Sequence, residues 1–171
     1  MTAALIRGLV ALCFCGFPAA AGAQAAASAK SPQPCMMPAE LEAEAIVRTG
    51  IVLRAYAREC ARRGIDGSIL QKWSAFDAAN AQNLRDAVQQ RTDAFARGYP
   101  DNPYAGQQVI DDTLASRGLT ALSAQECIAT AAVVDRLEVW DDLVAHARRT
   151  ELGKVKTAIR TCRPGPAPAG Q

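Results

Sequence analysis

The sequence predicts an all-α fold, a small four-helix bundle stapled by two disulfides. Three observations carry that expectation. Helix starts and stops recur at legible positions, no stretch alternates as a strand would, and four cysteines remain once an export signal is set aside.

The export signal lies in residues 1–23. Arg7 is the only charge before Lys30, Leu9 to Phe17 is apolar, and small residues lead to Ala21-Gly22-Ala23. That order reads as a cleavable signal peptide cut after Ala23. The apolar part is well short of the roughly 20 residues that span a bilayer, so no transmembrane anchor is expected. Cys13 and Cys15 follow Leu12 and Phe14 rather than small residues, which disfavours a lipid anchor there. Arg outnumbers Lys and Ala is abundant, the composition of a high-GC bacterial genome. The expected compartment is therefore the periplasm or the medium. Residues 24–34 read as a flexible leader, 35–163 as the helical domain and 164–171 as a disordered Pro/Gly/Ala tail.

Helix one is expected over 38–63. Pro38 stands at its first position and Glu40 and Glu42 at the positive end of its dipole. Leu41, Ala45, Val52, Tyr56 and Cys60 recur at helical spacing. Arg63-Gly64-Ile65 is a glycine stop, and Arg97-Gly98-Tyr99 and Arg117-Gly118-Leu119 repeat it. Helix two is expected over 69–97 with Ser68 as its cap. Asn102-Pro103 opens helix three at 103–117. Ser123 and Glu126 form a capping box that opens helix four at 124–152, continuing past a kink at Gly153 toward Arg160.

Four retained cysteines allow three pairings. Cys35 and Cys60 flank helix one, and Cys127 and Cys162 flank the last helical segment. In an up-and-down bundle in which helices two and three together bring the chain back to its starting level, Cys60 meets Cys127 and Cys35 meets Cys162, and that is the pairing expected. The segment from Cys127 to Cys162 is the longer one at about 1.5 Å per residue, and a turn near Gly153 would absorb the excess. No C-x-x-C motif suggests a redox or metal role, so these cysteines read as structural.

Chemistry-bearing groups are sparse. His146 is the only histidine, and no nucleophile stands near it in the sequence. Met36, Met37 and His146 can ligate haem in principle, but read as core and helix surface; no cofactor or metal is expected. Asp111, Asp112, Asp135, Glu138, Asp141 and Asp142 supply acids on helices three and four. They lack the calcium-loop pattern and name no catalytic pair. Arg148, Arg149, Lys154, Lys156, Arg160 and Arg163 make the last segment basic, a candidate contact for an anionic partner. Tyr99 and Tyr104 flank a proline turn, a candidate hot spot. Asn80, Gln82, Asn83, Gln89 and Gln90 crowd helix two beside an apolar face of Trp73, Phe76, Leu84, Val88 and Phe95. Net charge is +2, which disfavours a nucleic-acid binder.

The expected function is that of a non-enzymatic, exported accessory protein such as a chaperone-like factor, inhibitor or subunit. Its partner would be another envelope protein or an anionic envelope component. The alternative is a carboxylate-dependent envelope enzyme or a small-ligand-binding bundle.

Overall fold

The computed structural model describes residues 35–116 and 122–162. The segments read as signal peptide, leader and tail, with the Arg117-Gly118-Leu119 stop and Arg163, lie outside the described residues. The fold is all-α, but its helix count differs from four. Among the described residues there are seven helices: α1 (Pro38–Arg62), α2 (Ser68–Ala79), α3 (Ala81–Gly98), α4 (Pro103–Ser116), α5 (Ala124–Val134), α6 (Trp140–Thr150) and α7 (Leu152–Ala158). Two short strands, β1 (Cys35–Met36) and β2 (Arg160–Thr161), pair in parallel beside the first helix.

α1 is central and touches every other helix described. Ala43, Glu44, Ala45, Ile46 and Val47 are consecutive and all buried. A helix that buries one stripe leaves polar residues on the opposite side; this one is covered all round in its first half. Small side chains at Ala43 and Ala45 let neighbours approach closely. Ile69, Trp73 and Phe76 come in from α2, Ala87, Ala94 and Phe95 from α3, and Leu143 and Ala147 from α6.

Two of the four expected helices are broken. The 69–97 segment turns at Asn80, whose N–H and side-chain amide both donate to the Phe76 carbonyl at 3.0 Å. That side chain satisfies a carbonyl at the end of α2 and lets α3 leave at a new angle. The 124–152 segment breaks at residues 135–139. Asp142 accepts from the backbone N–H groups of Glu138 and Val139, each at 3.0 Å. It starts α6 afresh as an acid at a helix N-terminus. The next break falls at Glu151, with Gly153 inside α7 rather than at a kink.

The caps divide similarly. Gly64 ends α1 with φ of 70°, the only described glycine in the left-handed region. The Ile65 N–H reaches back to the Cys60 carbonyl at 3.1 Å, as the glycine stop requires. Gly98 is instead the last residue of α3, with no left-handed turn. Asn102 Oδ1 accepts from Ala105 N–H at 3.1 Å. Ser123 and Glu126 exchange the two bonds of the capping box, at 2.6 and 3.2 Å. Ser68 does not cap α2: it is the first helical residue, and Asp66 accepts from both its N–H and its hydroxyl.

Cys35 is bonded to Cys162 and Cys60 to Cys127. The first bridge sits beside the β1–β2 pair, where the Cys162 N–H also donates to the Met36 carbonyl at 3.0 Å. The second joins the last turn of α1 to the first turn of α5. The length excess between Cys127 and Cys162 is absorbed by the two breaks, at 135–139 and at Glu151.

Buried charge links α1, α3 and α4. Glu44 and Arg91 are 0% and 2% exposed and lie 2.5 Å apart. Arg48 donates to the other Glu44 oxygen at 2.6 Å. Arg91 makes a two-pronged contact with Asp111 at 2.6 and 2.9 Å and lies over the Phe95 ring. Two cations and two anions thus alternate through the contact.

Candidate ligand-binding face

The residues that stood out in the sequence are dispersed. Tyr99 is half-buried, with its ring stacked against Phe95 at 6.3 Å between centroids, so it seals the end of α3 rather than offering a free ring. Tyr104 is 66% exposed. Arg148 turns to α1 and donates twice to Glu42, at 2.7 and 3.1 Å. Lys154 pairs with Glu151 at 2.6 Å. Arg149 and Lys156 are exposed. The basic segment is therefore partly neutralised and, among the described residues, split over α6, α7 and β2.

The acids do not converge. Asp111 is spent on Arg91, Asp135 pairs with Lys72 at 2.5 Å, and Asp142 starts α6. Asp112 is exposed on α4. A carboxylate enzyme needs two acids facing one reacting bond; Asp111 and Asp112 are neighbours on α4, with only Asp111 paired, while Asp135 and Asp142 lie on other segments with partners of their own. Among the described residues, no three His, Cys, Asp or Glu side chains are placed to hold a metal ion.

A different group of residues does converge. α1, α3 and α6 enclose a concavity of about 290 Å³. Glu42 and Ile46 come from α1, Asn83, Asp86 and Gln90 from α3, and Trp140 and Val144 from α6. Helical spacing sets the arrangement: positions 83, 86, 87 and 90 lie on one face of α3, and 140 and 144 on one face of α6. The break before Trp140 is what places that ring here. Asn83 and Gln90 have no hydrogen-bond partner among the described residues. Glu42 uses one oxygen on Arg148, and Asp86 one on Gln82 at 2.8 Å. The lining thus offers free amides, carboxylate oxygens and an aromatic ring around an apolar floor. It contains no nucleophile with an adjacent base.

The dense amides of α3 were the one signal in the sequence for this face. Trp140 was not, because a continuous helix four gave it no special place. On the other side of α3 lies a groove of about 470 Å³, lined by Val47, Ile51, Leu84 and Val88 with Arg54 and Arg85 at its rim. Comparison with known protein families, with curated proteins and with solved structures returns no match. Among the described residues, no helix is long and apolar enough to cross a membrane.

Proposed function

We propose that this chain is a non-enzymatic binding or accessory protein of the bacterial periplasm, and that it seats another envelope protein on the α1–α3–α6 concavity. The observation that carries the reading is the lining itself. Free amides at Asn83 and Gln90 stand beside Trp140, a pairing of adaptable hydrogen bonding with a large, stiff anchor that suits protein recognition. Two disulfides and the signal-like N-terminal segment support an oxidising compartment. Of the acids singled out in the sequence, Asp111, Asp135 and Asp142 are engaged with partners that hold the helices.

The test is affinity capture from an envelope extract, with the wild-type chain beside Trp140→Ala and a double variant, Asn83→Ala with Gln90→Ala. A stoichiometric partner retained by the wild type and lost by about tenfold or more with Trp140→Ala is expected. Equal retention by all three chains removes the concavity as the contact, and absence of any stoichiometric partner removes the binding reading.

A further inference from the structure

The opposite side of α6 carries a second concavity, of about 280 Å³, closed by the end of α5. Asp142, Ala145, His146 and Arg149 line it from α6, and Val133, Arg136 and Leu137 from α5 and the turn after it. The spacing 142, 145, 146, 149 is one helical stripe, distinct from the stripe of Trp140 and Val144. Neither the Arg136 nor the Arg149 side chain has a hydrogen bond or ion pair among the described residues. Arg48, Arg54, Arg62, Arg91, Arg97 and Arg148 each lie on a carboxylate; Arg58 and Arg160 are also without one among the described residues, and what sets Arg136 and Arg149 apart is that they line one notch. Two guanidinium groups and an imidazole therefore share one notch with no anion assigned to them.

We propose that this notch is an oxyanion site that takes a phosphate group between the guanidinium forks of Arg136 and Arg149, with His146 as a third donor. Guanidinium forks match phosphate oxygens in pairs, and an imidazole adds one donor and, when protonated, a third positive charge. The carboxylates nearby do not fill the role. Asp142 faces the backbone N–H groups of Glu138 and Val139, and Glu151 is held by Lys154. His146 is half-buried; burial first, then Arg149 and Arg136, hold it below its usual value of 6.5, against a weaker upward pull from Glu151. An anion between the arginines offsets the positive field that they exert on the imidazole. Phosphate binding therefore raises the His146 value and tightens as pH falls through its titration. The site lies on the face of α6 away from Trp140, so it stands or falls independently of protein binding at the other concavity.

Because the chain has one histidine, its imidazole resonances report this site alone. The experiment is an NMR titration of His146 in the purified chain with inorganic phosphate, at fixed ionic strength and at several pH values. A saturable shift is expected, with the His146 titration moved upward. Arg136→Gln and Arg149→Gln each weaken it by about tenfold, with thermal melting unchanged. Arg148→Gln, the same charge change one residue away on the Glu42 side, leaves it intact. Absence of a saturable shift in the wild type overturns the proposal, as does equal weakening by Arg148→Gln, which reduces the effect to general charge. Vesicles of phosphatidic acid in phosphatidylcholine, against phosphatidylcholine alone, then assign the source. Arg149-dependent sedimentation with the former supports a lipid headgroup; phosphate binding without sedimentation supports a soluble phosphate.

Discussion

The two sides of α1 are held by different physics. Toward its ends, α1 is covalently tied: Cys60 to α5, and Cys35, just before it, to Cys162 after β2. The Cys60 end is reinforced by Glu59, which takes Arg62 and Arg63 and is pulled down to about 2 by those two hydrogen bonds. Arg63 also donates to the Leu122 carbonyl, across to the segment that starts α5. Toward α3 and α4 there is no covalent link among the described residues. There the seam is a row of charges, Glu40 with Arg97, then Glu44 with Arg91 and Asp111. Crosslinks act largely on the unfolded chain, whereas buried charges act through the folded one and punish the loss of a partner. The segments that return to α1 from far along the chain are the stapled ones. Those that follow it closely are held without staples.

The largest effect belongs to the staples. The bridges close loops of 127 and 67 residues, and the inner loop is nested in the outer. Each contributes about 4 kcal/mol on the chain-entropy account, about 8 kcal/mol together. That is comparable to the whole stability of a typical domain. Full reduction is expected to unfold the chain or reduce it to a loosely packed helical state. Far-UV and near-UV circular dichroism with and without reductant checks this; unchanged near-UV signal would mean that packing alone suffices.

Next comes the buried charge. Arg91→Met leaves Glu44 with Arg48 only and frees the partly exposed Asp111 to take up water. The expected loss is about 3 kcal/mol, at the low end for breaking a buried pair. Adding Glu44→Leu to Arg91→Met is expected to restore only part of it, because Arg48, 13% exposed, then loses its carboxylate as well. Denaturant melts of the two variants sharpen the contrast between regions. If the double variant is no better than the single one, the seam depends on packing of the Arg91 stem against Phe95 rather than on charge.

These regions were unequally legible in the sequence. The Ser123–Glu126 box and the Gly64 stop are local devices that act over a few residues, and the cysteines, though far apart, left only three pairings to choose among. The break at Asn80 and the restart at Asp142 were not legible as breaks, since both segments keep helical spacing through them. What decides there is the need of α2, α3, α5 and α6 each to lie against α1. Glu44 had no signal of its own in the sequence. Its partner Arg91 stood among polar residues of α3, with nothing local to pair them across 47 positions. Trp140 had the same difficulty, and with it the α1–α3–α6 face: only the amides of α3 hinted at it. Arg136 and Arg149 share a notch only because α5 ends where it does.

A smaller effect separates the left-handed turn from the rest of the stapled end. Gly64 has φ of 70° and open space where a Cβ would stand. Gly64→Ala therefore costs backbone strain alone, about 1–2 kcal/mol, without a steric clash. A loss well above that, measured by thermal melting with both bridges intact, would show that the turn and the neighbouring Cys60–Cys127 bridge are coupled rather than additive.

The smallest expected effect tests the charged seam by pH. Burial pushes Glu40 up, but the hydrogen bonds from Arg97 and from the Met37 N–H outweigh it, so its carboxyl lies below the usual 4.5. A folded value below the unfolded one means that the unfolded chain binds the proton more readily. The stabilisation is therefore present above the unfolded value and is lost as pH falls through the folded one. Glu40→Gln keeps an acceptor for the Met37 N–H and removes the charge facing Arg97. Arg97 is half exposed, so the expected loss at neutral pH is under about 1 kcal/mol. The gap between wild type and variant closes as the solution is acidified below the ordinary carboxylate range. The contribution of the disulfides persists through the same acidification, because a bridge carries no titrating group. A Glu40→Gln gap that stays constant from neutral pH into acid would place the α1–α3 contact at Glu40 with packing rather than charge, and would erase the distinction between the two sides of α1 at that end.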